Sequence, residues 1–251
     1  MNIYAPEYYA RFHCIASLCR HTCCAGWEID IDMDSLTRYR SMGGAFGQRL
    51  NAAICMDETP HFQLDAEERC PMLNRDNLCD LIIARGEDAL CQICADHPRF
   101  RNFWSDRQEI GLGMVCEAAA RLMLTQTKPM KLVRIGGDGS EALSDAERWL
   151  MDVRAQMLSQ IKDTGPRARL REYLIYRHIA DALYDDRLEE RAAFIDCACA
   201  GITDGWQEGE IDDLVERCRK FSDAVEYDDE MLEGFLSGEM QSLPEWLFDR
   251  S

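Results

Sequence analysis

Cys14-Ile15-Ala16-Ser17-Leu18-Cys19-Arg20-His21-Thr22-Cys23-Cys24-Ala25-Gly26-Trp27 places four thiols within eleven residues of a 251-residue chain. Alternating ligand-type and small residues give residues 1 to 32 neither a helical nor a strand period, so this stretch predicts an irregular metal-binding entry rather than a packed element. Met1 to Glu7 lacks the basic start and apolar run of a secretory signal. The thiols are therefore expected in a reducing cytoplasm, where metal ligation or redox chemistry is a more common use of cysteine than disulfides.

Working outward, ten of the 13 cysteines fall at 14, 19, 23, 24, 55, 70, 79, 91, 94 and 116. The other three, Cys197, Cys199 and Cys218, lie within helical patterns and read as small buried hydrophobes. Thiolates hold zinc as four tetrahedral ligands and hold iron–sulfur clusters also as four. Spacing distinguishes them slightly. Paired Cys-x2-Cys knuckles mark many zinc sites, and only Cys91-x2-Cys94 has that form, while the adjacent Cys23-Cys24 pair suits several metal atoms better than one ion. Zinc as a structural staple stays open. His13, His21, His61 and His97 lie among the cysteines as candidate fourth ligands or hydrogen-bonded bystanders.

Composition limits the remaining classes. An apolar fraction of 47% is that of a globular protein, no stretch approaches a membrane span, and a net charge of −18 without basic clusters argues against nucleic acid. Residues 141–251 carry 27 Asp+Glu against 13 Lys+Arg, whereas residues 1–140 carry only 19 against 15. That acidic field would attract cationic partners or simply keep helix faces solvated.

The expected fold is mainly α: a cysteine-rich metal-binding region at 1–128 with a small β-hairpin, then an acidic helical, bundle-like region at 141–251. Phe100 to Leu112 predicts the hairpin, turning near Ser105-Asp106. Asp34 is the expected N-cap of a first helix, interrupted at Gly43-Gly44 and resumed over Phe46 to Ile54. Glu117 to Gln126 has a helical face, Met130 to Ile135 reads as a strand or loop arm, and Gly136 to Ser140 as a linker. Periodicity then predicts helices over 143–161, 167–184, 188–199, 211–224 and 229–236, with a break at Tyr227-Asp228.

The ordered pattern Tyr9-x2-Phe12-x-Cys14-x4-Cys19-x3-Cys23-Cys24-x-Gly26-Trp27-x-Ile29-x2-Asp32 resembles the opening of the flagellin lysine-N-methylase family, within a wider group of cysteine-rich zinc- or iron-chelating proteins. Cys70-Pro71-Met72-Leu73-Asn74, Leu78-Cys79, Gly86-Glu87, Cys94-x2-His97-Pro98-Arg99 and Cys116-Glu117-Ala118-Ala119-Ala120-Arg121-Leu122 extend the resemblance to about residue 124. It implies a cytoplasmic enzyme that moves a methyl group from S-adenosylmethionine to lysines of flagellin or another lysine-bearing surface protein, and that carries a cysteine-bound iron–sulfur cluster of the 4Fe-4S kind. The implied metal ligands are Cys14, Cys19, Cys23, Cys24, Cys70, Cys79, Cys94 and Cys116, with Cys91 outside the pattern. A lysine amine must be neutral to accept a methyl group, a state supplied by desolvation or by a base such as a carboxylate or tyrosinate, and Tyr8, Tyr9, Asp30 and Asp32 are the candidates. Trp27 offers an aromatic face for a sulfonium or ammonium group. The rival is a non-enzymatic metal-binding module for electron transfer or protein interaction.

Overall fold

The structure, a computed structural model, describes residues 1–139, 141–226, 229–240 and 242–248. From its start the chain forms β1 (Asn2–Pro6), α1 (Met33–Ser41), α2 (Gly44–Ala52), β2 (Ile54–Met56), β3 (Pro60–Phe62), α3 (Asp80–Arg85) and α4 (Gln92–Asp96). It continues through β4 (Arg99–Phe103), β5 (Arg107–Leu112), α5 (Glu117–Leu124), β6 (Leu132–Gly136), α6 (Asp145–Ser159), α7 (Pro166–His178), α8 (Ala182–Asp185), α9 (Leu188–Thr203), α10 (Ile211–Glu226) and α11 (Asp229–Leu236). The fold is mainly α with a small hairpin, as the sequence predicts. Among the described residues no helix is long and apolar enough to cross a membrane.

Two compact units divide the chain, one formed by residues 14–97 and the other by residues 1–13 with 98–251. This differs from the expected division into 1–128 and 141–251. The physical reason is the sheet. β1 pairs in parallel with β5 and antiparallel with β6, giving the order β4-β5-β1-β6, so the first residues fold with the second half of the chain. Residues 137–139 also pack inside this unit: Asn2 donates from Nδ2 to the Gly139 carbonyl at 2.9 Å, and a Cβ on Gly137 would stand 2.1 Å from the Met1 carbonyl oxygen. Ser140 and the expected break at Tyr227-Asp228 lie outside the described residues.

In the larger unit the predicted hairpin is β4–β5, closed at Ser105-Asp106 by reciprocal backbone bonds between Trp104 and Arg107. Phe100 lies opposite Gly111, and its ring occupies the space a Cβ would take, 2.2 Å away, which is why a glycine stands inside this strand. Helix α6 starts at a capping box: the Ser144 hydroxyl accepts the Glu147 amide, while the Glu147 carboxylate accepts the amide of Ser144. Glu147 also accepts the amide and hydroxyl of Ser105 at 2.6 and 2.9 Å, tying the hairpin turn to the helix. Arg154 on α6 then forms a two-pronged pair with Glu109 on β5 at 2.6 and 2.8 Å, with Glu109 fully buried. Leu174, Ile175, Phe194, Ile195, Leu214 and Phe221, from α7, α9 and α10, fill the core beside them. The predicted helix over 167–184 is two helices here, α7 and α8.

The smaller unit has a modest core of Ile29, Ile31, Leu36, Tyr39, Leu50, Phe62, Met72 and Leu81 with a few neighbours. Asp32, not Asp34, caps α1, its carboxylate accepting the Ser35 amide at 2.9 Å. Gly47 on α2 allows close approach to Met42, whose carbonyl oxygen would stand 2.0 Å from an added Cβ. Residues 29–31 run beside β3, with Ile31 donating to Pro60 and Phe62 to Ile29.

Candidate metal centre

Backbone bonds bring the two cysteine blocks side by side in the smaller unit. Gly26 donates to the Glu68 carbonyl at 3.0 Å and Cys70 to the Cys24 carbonyl at 2.7 Å, so residues 23–26 lie along 68–70. From Cys70 the chain loops back through a turn organised by Asn74, whose Oδ1 accepts the amides of Asp76 and Leu78. Asp80 then donates to Met72, and α3 begins with Cys79 at its N-cap. Cys91 is the N-cap of α4, and Cys94 lies one turn along that helix.

Six thiols converge in this way. Cys23 is within hydrogen-bonding reach of Cys24, and Cys91 of Cys94, while Cys94 also feels Cys24 and Cys70, and Cys70 feels Cys79 and Cys91. The thiol of Cys23, an exposed residue, is pushed up chiefly by its hydrogen bond to Cys24. Cys70 is pushed up to about 11, mainly by burial, with the neighbouring thiols of Cys79 and Cys91 adding to it. Burial likewise raises Cys79, against the amides of Ile82 and Leu81 at the start of α3, which favour its thiolate. In the Cys91–Cys94 pair the proton stays on Cys94, and Cys91 is lowered by the Cys94 thiol, the Cys94 amide and the Tyr39 hydroxyl.

Thiols crowded together resist losing more than one proton unless a cation replaces the protons, so this all-sulfur donor set suits a soft metal centre. A single tetrahedral zinc with bonds near 2.3 Å would need sulfurs about 3.8 Å apart. Among the described residues, no three of these sulfurs lie within 4.8 Å of one another. Wider spacing fits ligands that bind different metal atoms of an iron–sulfur cluster.

The remaining expected ligands are Cys14, Cys19 and Cys116. Cys14 is exposed, its sulfur accepting the Ala16 amide at 3.3 Å, and Cys19 is half-buried after the short turn Ala16–Leu18. Cys116 belongs to the larger unit, where it caps α5. Cys91, outside the resemblance pattern, is among the most buried thiols of the nest. Its Cys-x2-Cys spacing with Cys94 was the signal that could have found it. Cys218 is buried as expected, whereas Cys197, on the outer side of α9, is exposed.

Trp27 lies over the first block, donating from Nε1 to the Cys23 carbonyl at 2.8 Å and stacking on His97 with ring centroids 6.3 Å apart. Asp32 accepts the amides of Ser35 and Gln92, capping α1 and the start of α4 together, and these bonds outweigh burial to hold its carboxyl down at about 2. Asp30 is exposed in the same unit. In the larger unit Tyr8 is buried beside Met130, Arg169 and Glu172 around a cavity of about 10 Å³, and burial with the Glu172 charge favours its neutral phenol. The Tyr9 hydroxyl accepts Nε of Arg99 at 2.8 Å.

Comparison with known proteins gives one kind of relative. The chain is 24% identical over 139 residues to a lysine-N-methylase of Salmonella typhimurium and to the flagellar biosynthetic protein FliU of Salmonella muenchen, and 23% identical to a lysine-N-methylase of Salmonella choleraesuis. The matched stretch is 53% of this chain, 82% of FliU and 35% of each lysine-N-methylase. The resemblance drawn from the cysteine pattern thus agrees with these relatives. No family model matches the chain, and no solved structure does.

Proposed function

We propose that this protein is a lysine N-methyltransferase acting on flagellin or a similar lysine-bearing surface protein in the cytoplasm, with S-adenosylmethionine as methyl donor and an iron–sulfur cluster held by the thiol nest. The observation that carries this is the convergence of Cys23, Cys24, Cys70, Cys79, Cys91 and Cys94 in a chain similar to lysine-N-methylases. Four of the six suffice for one 4Fe-4S centre, which needs none of Cys14, Cys19 or Cys116. When bound, such a cluster would anchor the fold of residues 14–97 and offer a metal surface against which the methyl donor is held.

The transfer itself is a displacement. A lysine with an ordinary pKa of about 10.4 loses a proton, its nitrogen lone pair attacks the sulfonium methyl carbon, the carbon–sulfur bond breaks, and S-adenosylhomocysteine leaves with the electron pair. Asp30 is the proton acceptor we favour in the unit that carries the thiol nest, because Asp32 is engaged there as a double cap. The Trp27 ring would hold a sulfonium or ammonium group by its face. The net −14 of residues 141–251 would draw a basic protein surface, an attraction that salt weakens.

The test is to purify the full chain without oxygen, measure iron, sulfide and zinc, and incubate it with flagellin and isotopically labelled S-adenosylmethionine. About four irons and four sulfides per chain with labelled lysines on flagellin are expected. A redox-active cluster with no S-adenosylmethionine binding by calorimetry would assign the protein to electron transfer instead. Zinc without sulfide and without methyl transfer would make it a stapled interaction scaffold.

A further inference from the structure

The β2–β3 hairpin carries a second set of ligand-type residues, apart from the six-thiol nest. Cys55 and His61 are directly paired across the two strands. Because side chains alternate along a strand, Ile54 and Phe62 enter the core and Cys55 and His61 share the opposite face. Asp57 stands in the turn that joins the strands, and Glu28 stands on the neighbouring extended segment, outward because Ile29 points inward. Among the described residues, Cys55, Asp57 and His61 form the one group of metal-ligand atoms that all lie within 4.8 Å of one another.

The three side chains lie close enough to share one ion, and Glu28 stands beside His61 outside their group. Cys55 Sγ is 3.2 Å from Asp57 Oδ2, and His61 Nε2 is 3.7 Å from a Glu28 carboxylate oxygen. Bonds of about 2.0 to 2.3 Å around a tetrahedral ion give ligand separations of about 3.3 to 3.8 Å. His61 Nδ1 lies 2.9 Å from the Thr59 carbonyl. A carbonyl only accepts, so Nδ1 carries the proton and Nε2 keeps its lone pair, the tautomer that carbonyls behind the ligands impose on metal-binding histidines. A thiol–carboxylate hydrogen bond alone would explain the Cys55–Asp57 distance but not the presence of His61 in the same group.

We propose that Cys55 Sγ, a ring nitrogen of His61 and the Asp57 carboxylate form a mononuclear site for a divalent, borderline-soft cation, zinc first among them. One sulfur, one nitrogen and one oxygen suit zinc and its spectroscopic stand-in cobalt. Three protein ligands leave the fourth position to water, and the ion would staple the β2–β3 hairpin across its turn. Binding releases the Cys55 thiol proton to solvent. The site is independent of what the nest holds and of the methylase function.

The experiment uses the full chain, purified without oxygen, as wild type and as Cys55→Ser, His61→Gln and Asp57→Asn. Zinc and iron are counted per chain, and cobalt(II) is titrated with the near-ultraviolet and visible spectrum recorded. We expect Cys55→Ser and His61→Gln to hold one zinc fewer than the wild type with unchanged iron, and to lack the thiolate-to-cobalt band that the wild type develops. Asp57→Asn lies at an exposed turn where the fold has little to lose, and should weaken cobalt binding at least about tenfold. Equal zinc, equal cobalt affinity and the same band in all four proteins would overturn the site, as would a wild type with no zinc and no cobalt–thiolate band.

Discussion

The two compact units solve the problem of stability by different means. Among the described residues, residues 1–13 with 98–251 bury thirty apolar side chains in one cluster, crossed by the paired Arg154 and Glu109. Residues 14–97 bury only twelve, two of which are the nest cysteines Cys70 and Cys91, and their helices α3 and α4 have six and five residues. A core that small is marginal for a chain of this length. The difference teaches that the larger unit is held by apolar burial, of which the smaller one has far less.

The sharpest break of that comparison is Cys70→Ser. If a metal centre supplies folding free energy on the order of 10 kcal/mol to the smaller unit, this variant loses iron and residues 14–97 become digestible by protease while the remaining helices stay protected. Protection of 14–97 in an iron-free variant would show that its own core suffices. Glu109→Gln attacks the other unit. It leaves Arg154 buried without its carboxylate, at a cost of about 3–5 kcal/mol, which a thermal melt followed by helical circular dichroism would reveal as a lowered midpoint with unchanged iron.

The smallest effect expected is a pH dependence confined to the larger unit. Burial alone would raise the Glu147 carboxyl, but hydrogen bonds from Ser144 and Ser105 hold it at about 2, below its ordinary 4.5. Its contribution is therefore complete above about pH 4.5 and is lost as pH falls toward 2. Glu147→Gln should cost about 1–3 kcal/mol in urea melts at pH 7 and lose less than the wild type on acidification to pH 3. Parallel acid sensitivity in the variant would assign that sensitivity to other carboxylates.

Features set by local chemistry were legible in the sequence. The turn at Ser105-Asp106, the helix α11 over 229–236 and the start of α9 at Leu188 depend on neighbouring residues and emerge as expected. Features set by distant partners were not. Asn2–Pro6 becomes a strand only because β5 and β6 flank it, and the three-residue strands β2 and β3 are too short for periodicity to register. The same holds at the site: the cysteine spacing announced a thiol-rich centre, while the double cap by Asp32 depends on chain segments about 60 residues apart in sequence meeting in the smaller unit.

Because β1 pairs in parallel with β5, the whole of residues 14–97 is carried within the connection between partners of one sheet. On a ribosome adding about 5–20 residues per second, the first strand must wait roughly 5–20 seconds for the strand it will join. The thiol-rich segment is complete before that moment. Its folding is thus an event of early synthesis, whereas closure of the larger unit comes after it.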